Sequence, residues 1–252
     1  MELNFIKGQF TEEQLENAII KLFKGMDGYD YVHGETIHRK YEDVLIEDDL
    51  TIFLSNKYND LTENEIAKIV SRLKNIPSAP LYAGNRDAFW LINEGFDFQR
   101  DESGKIALHI NYIDLETPSN NSFKIVNQYS VQGERLRRPD LLLFINGIPL
   151  AIFEFKTAVE EDKTIHDAWE QIHIRYCRDI PKLMKYCFLS VISDGANTKL
   201  GSIFTPYEYY YAWNKANDSE KVSNGISSLF TMIKGAFAIE RVTAIILSLI
   251  HI

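Results

Sequence analysis

The first half of the chain carries apolar residues at helical spacing behind polar start signals. Thr11-Glu12-Glu13-Gln14 forms a capping box: the Thr11 hydroxyl accepts from the third helical N–H and Gln14 reaches back. Leu15, Ile19, Leu22 and Phe23 follow at the 3.6-residue period, and Gly25 and Gly28 mark the end. A second box, Thr62-Glu63-Asn64-Glu65, opens a helix whose apolar stripe is Ile66, Ile69, Val70 and Leu73, closed by Pro77 and Pro80.

From Lys105 the period becomes two. Ile106 to Leu115 alternates apolar and polar residues, which predicts a half-buried strand, and Thr117 to Asn121 is a turn cluster. Phe123 to Ser130 predicts a further strand. Asp140 to Ile145 and Leu150 to Lys156 are short apolar runs around Asn146-Gly147, a hairpin signal. Asp167 to Arg178 predicts a helix, and Tyr186 to Ser193, apolar and β-branched, a central strand. Strands mixed with helices along one chain predict an α/β or α+β architecture. The polar stretch 214–224 is the best boundary, giving a domain over 1–213 and a C-terminal helical segment over 214–252.

That last segment is the most apolar part of the chain. Its longest uncharged run, Val242 to Ile252, is 11 residues, against roughly 20 for a membrane span. It predicts a buried amphipathic helix. The N-terminus has an acid at once and no apolar run, unlike a secretory signal. Cys177 and Cys187 match no zinc spacing and suggest a reducing compartment. These features together predict a cytoplasmic protein with no membrane partner.

The net charge of −9 argues against a simple DNA-coating protein. Its distribution changes that picture. Residues 131–200 hold ten acids and ten bases, so the whole excess lies elsewhere. This neutral stretch also holds the densest basic cluster, Arg135, Arg137 and Arg138.

The same stretch carries the candidate chemistry. Two apolar strands here hold Asp140, Glu154 and Lys156 at their ends. Residues i and i+2 share a strand face, so Glu154 and Lys156 point one way while Phe153 and Phe155 point into the other layer. Charged groups amid such runs are costly unless paired or bound to an ion. Two carboxylates alone repel; a magnesium ion between them removes the repulsion and creates a catalyst. The hairpin register tests this. A two-residue turn at Asn146-Gly147 would set Asp140 opposite Phe153, on the wrong side. A three-residue loop through Ile148, or a bulge, sets it opposite Glu154.

The string Arg137-Arg138-Pro139-Asp140, Asn146-Gly147-Ile148-Pro149-Leu150 and Glu154-Phe155-Lys156 resembles the PD-(D/E)xK nuclease signature as it occurs in the R subunit of type I restriction endonucleases. Asn85-Arg86 with Phe89, Leu91 and Gly95 resembles that family's upstream segment, as do Asn121, Phe123 and Asn127-Gln128-Tyr129. Asp179-Ile180-Pro181 and Ser193-Asp194-Gly195 with Asn197-Thr198 extend the likeness, which runs from about Thr11 to Trp213.

The resemblance implies a restriction-endonuclease-like α/β core, a mixed central sheet flanked by helices. It implies that Asp140 and Glu154 ligate Mg²⁺ with the Phe155 carbonyl, and that Lys156 positions or activates water. The reaction implied is hydrolysis of DNA without sequence specificity. It implies DNA-backbone contacts from Arg137, Arg138, Arg175 and Arg178. The family's Gln-x-x-x-Tyr pair corresponds to Gln171 and Tyr176, here five apart instead of four. On an α-helix that rotates the second residue away by about 140°, unless a bulge restores the alignment. An acid on the first helix often faces the metal in this family; Glu16 is the first candidate and Glu13 the next.

Implied partners are DNA and the modification (methyltransferase) and specificity subunits. Longer members continue into an ATP-driven motor. No Gly-x-x-x-x-Gly-Lys-Ser/Thr loop occurs here, so ATP is expected of those members and not of this chain. A second reading stays open, favoured by the acidic charge and the shifted glutamine: an inactive docking module linking the motor to its partners. The tyrosines 207, 209, 210 and 211 are expected to be partly buried.

Overall fold

The computed structural model describes residues 11–156, 164–213 and 226–248. Both capping boxes form as expected. The Gln14 N–H donates to Thr11 Oγ1 at 3.2 Å and Thr11 N–H to Gln14 Oε1 at 3.0 Å. They start α1 (Glu12–Lys24); α2 (Glu47–Lys57) follows, and the Thr62 box starts α3 (Glu63–Lys74) before α4 (Leu81–Glu94). The stripes Leu15, Ile19 and Phe23 on α1, and Ile66, Ile69, Val70 and Leu73 on α3, are buried, as the 3.6-residue period requires.

The strands among the described residues are β1 (Tyr29–His33), β2 (Phe96–Phe98), β3 (Leu108–Ile110), β4 (Phe123–Asn127) and β5 (Val131–Gln132). They continue with β6 (Leu136–Arg137), β7 (Leu141–Ile145), β8 (Ile148–Phe155), β9 (Leu189–Ser193) and β10 (Thr198–Gly201). Six of them make one mixed sheet in the order β1-β4-β7-β8-β9-β10. β1 runs parallel to β4 and β8 parallel to β9; the other pairs are antiparallel. This helix-flanked mixed sheet is the α/β, restriction-endonuclease-like core that the resemblance implied. β7 and β8 lie at its centre, and every residue of both is buried. Strands covered on both faces read as unbroken apolar runs, and these do, with Glu154 as the one charged exception.

The sheet's two faces are marked by one strand. Phe153 packs edge-on against Phe23 of α1, centroids 6.0 Å apart, and at a tilt against Phe237 at 5.1 Å. Its neighbour Glu154 points to the opposite face, toward the helix that starts with α5 (Ile165–Glu170). Phe237 lies between the helices Ile226–Ala236 and Ile239–Ser248, and its carbonyl accepts from the Tyr29 hydroxyl at 2.7 Å. The single C-terminal helix expected from the sequence is thus two helices on the same core. No helix among the described residues is long and apolar enough to cross a membrane.

One expected strand is largely absent. Of Ile106–Leu115 only Leu108–Ile110 is extended, and it pairs with β2 outside the main sheet. Ile106 is 89% exposed, and the Asn111 N–H goes to the Tyr58 hydroxyl at 2.7 Å instead of a strand partner. Beyond it, the Asn121 side chain takes both backbone groups of Asp114, its Oδ1 accepting from the Asp114 N–H and its Nδ2 donating to the Asp114 carbonyl, which closes a loop. The alternation was real, but side chains and loops, not a ladder, take up the polar groups.

Candidate functional site

The hairpin turn is a tight two-residue one. Asn146 (φ 49°) and Gly147 (φ 77°) both lie in the left-handed region, the geometry that an Asn-Gly turn favours. The three-residue loop expected on register grounds does not form. Instead the register changes within the strands: Ile145 pairs Ile148 and Phe144 pairs Pro149, but Leu143 pairs Ala151 and Leu141 pairs Phe153. The extra residue, Leu150, is a bulge of the kind that re-aims side chains beside functional sites. Continuing the shifted register sets Asp140 across from Glu154. The Phe155 N–H donates to Asp140 Oδ2 at 2.7 Å, tying the two strand ends together.

Glu154 is fully buried. Its Oε1 accepts from Lys156 Nζ at 2.9 Å and from the Gln171 side-chain amide, and its Oε2 accepts from the Tyr176 hydroxyl at 3.0 Å. Lys156 Nζ also donates to the Phe155 carbonyl at 2.9 Å and stands 3.6 Å from Glu12 Oε1. The Lys156 N–H donates to the Ser193 carbonyl at 2.9 Å, continuing the β8–β9 ladder past the strand end.

Gln171 and Tyr176 are brought together by the backbone. Residues Gln171–Tyr176 form a π-helix directly after α5. Its wider i→i+5 turn puts residues five apart on one face. The bulge that the shifted spacing required is present, and Gln171 Nε2 donates to the Tyr176 hydroxyl at 2.8 Å.

Electrostatics follow from this burial. Desolvation, then the Asp140 charge, pushes Glu154 well above the ordinary carboxylate range, with Lys156 opposing. Burial raises Asp140 to about 7, opposed by the Phe155 N–H. Burial alone would lower Lys156, but the Glu154 carboxylate outweighs it and holds the ammonium protonated. Two acids and one lysine therefore share a place that stabilises only part of their charge. Among the described residues no group of three or more His, Cys, Asp or Glu side chains is arranged to hold a metal ion. The hard oxygen donors gathered here are two carboxylates and one peptide carbonyl, the donor type Mg²⁺ takes.

The first helix contributes two acids. Glu16 Oε1 accepts from Asn127 Nδ2 at 2.7 Å, and Gln128 Nε2 donates to Glu16 Oε2 at 3.1 Å. Glu12 and Glu16 both raise Asp140 through their charge. Glu13 is exposed and is not among the acids whose charge raises Asp140. The second acid is Glu12, missed by the sequence reading although it lies one helical turn before Glu16, on the same face. In the sequence Asn127 and Gln128 stand out only as part of a motif; in the structure their amides hold Glu16. Gln128 has φ 53°, rare for a residue other than glycine.

Of the four arginines, Arg137 and Arg178 are both bound to Asp179, whereas Arg138 and Arg175 are exposed. In the tyrosine run, Tyr210 is buried and bonds Ser190, but Tyr209 is 73% and Tyr211 66% exposed. Partial burial thus holds for one side of that run only.

Residues 9–209 match the family model for the type I restriction enzyme R protein N terminus. A Methanocaldococcus jannaschii protein named as the MjaIXP type I restriction enzyme endonuclease subunit is 31% identical over 219 residues, 82% of this chain and 21% of that protein. The type I restriction enzyme HindI endonuclease subunit of Haemophilus influenzae is 26% identical over 164 residues, 64% of this chain and 16% of that protein. The chain therefore spans about a fifth of the length of these relatives. With the family model covering most of its length and the hairpin, lysine and glutamine–tyrosine pair assembled at one end of the sheet, the chain belongs to the type I restriction enzyme R protein N-terminal family.

Proposed function

We propose that this chain is a Mg²⁺-dependent nuclease domain that hydrolyses DNA phosphodiester bonds without sequence preference of its own. The observation that carries the reading is the convergence of Asp140, Glu154 and Lys156 at adjoining strand ends, with Gln171 and Tyr176 locked onto Glu154. The relatives' names, as endonuclease subunits, support the same reaction class.

The residues fit a divalent ion. A fully buried Glu154 beside Asp140 is poorly stabilised by one lysine, and a cation held by Asp140, Glu154 and the Phe155 carbonyl would complete the neutralisation. When bound, Mg²⁺ polarises the phosphoryl oxygen and makes a bound water more acidic. Lys156, anchored between Glu154 and the Phe155 carbonyl, orients the attacking water and balances charge developing on the phosphate. Gln171 and Tyr176 fix the Glu154 carboxylate, so its lone pairs need no reorganisation as charge develops. In-line attack of the water oxygen forms a new bond to phosphorus as the bond to the leaving oxygen breaks; the water gives up a proton, the leaving oxygen takes one up, and a phosphate end and a hydroxyl end result.

In this reading DNA is the substrate, and the modification and specificity subunits supply sequence recognition. The test is nicking of supercoiled plasmid by the 252-residue chain with Mg²⁺, compared with Asp140→Ala and Lys156→Ala. Metal-dependent nicking by the wild type, lost in both variants, supports the reading. Tight binding to the partner subunits with no cleavage under any divalent ion would replace it with the docking module.

A further inference from the structure

Asp179 is a buried carboxylate, its side chain 2% exposed, that takes two arginines at once. Arg178 reaches Oδ1 with Nε at 2.7 Å and Oδ2 with Nη2 at 3.1 Å. Arg137 reaches Oδ2 with Nε at 2.8 Å and Nη2 at 2.5 Å. One carboxylate against two guanidiniums leaves a positive charge in excess. A clamp that only had to satisfy a buried acid would be complete with one two-pronged arginine.

The unused donors matter more than the used ones. A guanidinium carries five N–H groups, and each arginine spends two on Asp179. Among the described residues the remaining donors meet no protein acceptor. Both arginines bind through the Nε edge, so the edge formed by the two Nη atoms is left over. That edge is the planar fork that matches two oxygens of a phosphate. Arg178 is 56% exposed and Arg137 27%, enough to meet a ligand from solvent.

Their placement is fixed by the chain. Arg137 is separated from Asp140 only by Arg138 and Pro139, and Arg178 follows Tyr176 by two residues. The backbone is pinned at the same point: the Glu134 N–H donates to the Asp179 carbonyl at 2.8 Å, and a Cβ on Gly133 would lie 2.1 Å from that oxygen. Both segments that enter the candidate site are thus fastened at Asp179.

We propose that Asp179 is a positioning residue that holds Arg137 and Arg178 as a rigid pair of guanidiniums for a DNA backbone phosphate flanking the one to be cut. The position of that phosphate rests on the nuclease reading; the grip itself is read out in binding. Asp179 makes the sign of its own test unusual. Removing an acid from a chain of net charge −9 strengthens DNA binding by charge alone, whereas losing a positioning residue weakens it.

The experiment measures binding of a fluorescent duplex of about 20 base pairs to the 252-residue chain in EDTA, as a function of salt. Asp179→Asn is expected to bind about fivefold more weakly despite the lost negative charge. Arg178→Gln leaves the Arg137–Asp179 pair in place. It is expected to bind about tenfold more weakly and to lower the slope of log affinity against log salt by about one. Arg178→Lys is expected to recover the slope but not the affinity, because it keeps the charge without the fork. Circular dichroism and melting temperature establish that each variant is folded. A folded Asp179→Asn that binds as tightly as wild type, or tighter, would overturn the proposal. So would an Arg178→Gln with unchanged affinity and slope, or a wild type that does not bind duplex DNA. Binding that changes as expected in a chain that never nicks plasmid would uphold the grip and remove the nuclease reading.

Discussion

Gln171 and Tyr176 stand five residues apart, yet their side chains meet at 2.8 Å and both bond Glu154. In an α-helix that spacing would turn one of them away by about 140°. The π-helix over 171–176 cancels the turn. The helix has accepted a poorer hydrogen-bond pattern to deliver two polar groups onto one buried carboxylate.

A deletion tests this relationship. Ile174 lies inside the π-helix and is 52% exposed, so it contributes little to the core. Removing it leaves the pair four apart, which an ordinary α-helix places on one face. The deleted chain is expected to keep the proposed Mg²⁺-dependent nicking within about threefold of the full chain and to melt at the same temperature or higher. An activity loss of a hundredfold or more would show that the π-helix does something beyond restoring alignment.

The Tyr176 hydroxyl has a separate consequence. It donates to Glu154 Oε2 at 3.0 Å and accepts from Gln171. Tyr176→Phe keeps the ring and removes both bonds. If Glu154 holds a divalent ion, losing such support typically costs ~10–100-fold in metal affinity. The expected outcome is a nicking assay whose half-maximal Mg²⁺ concentration rises by that factor, with activity recovered at saturating metal. Unchanged Mg²⁺ dependence would separate Tyr176 from the ion.

Much of this site could be read in the sequence because its physics is local. The charged residues interrupt apolar strands, so Asp140, Glu154 and Lys156 stand out. The helix starts at Thr11 and Thr62 were legible because a capping box is complete within four residues. The bulge at Leu150 was not legible: nothing in Pro149-Leu150-Ala151 differs from a regular strand, and only the need to align Asp140 with Glu154 demanded it. β1 and β10 do not stand out in the sequence because they are short and largely polar, Tyr29-Asp30-Tyr31-Val32-His33 with one buried residue and Thr198-Lys199-Leu200-Gly201 with two. The role of Asn127 and Gln128 depends on a contact more than a hundred residues away in sequence, which no local pattern encodes. Asp179 is half local: Arg178 is its chain neighbour, but Arg137 lies 42 residues before it, on the other side of the triad.

Asp140 is expected to lower the stability of the fold at neutral pH. Burial lifts its pKa to about 7, far above the usual 3.8. Between those values the unfolded chain is ionised while the folded one resists it, so the penalty grows as pH rises from about 4 to 7 and is constant above. Asp140→Asn keeps an oxygen to accept from the Phe155 N–H and removes the charge. It is expected to be more stable at pH 8 by about 1 kcal/mol, with little difference at pH 4, and to lose nicking. Mg²⁺ should raise the melting temperature of the wild type and not of the variant. Equal stability at pH 8, or an equal response to Mg²⁺, would contradict the assignment.

Asp114, joined through Asn121 to Asn146 at the turn end of the β7–β8 hairpin, shows the opposite sign. Burial pushes it up, but Asn120, the Lys57 ammonium at 2.7 Å and the Thr117 N–H outweigh that and bring it down to about 2. A depressed carboxylate stabilises the fold above its unfolded pKa, near 3.8, and that contribution fades as pH falls through about 2. Asp114 also anchors the loop that replaces the expected long strand, through Asn120 and the Thr117 backbone. Asp114→Asn is therefore expected to cost about 1–2 kcal/mol in urea unfolding at pH 7. The difference between the two proteins should narrow steadily from pH 4 to pH 2. A gap that stayed constant over that range would mean that loop geometry, and not the carboxylate's charge, holds this segment in place.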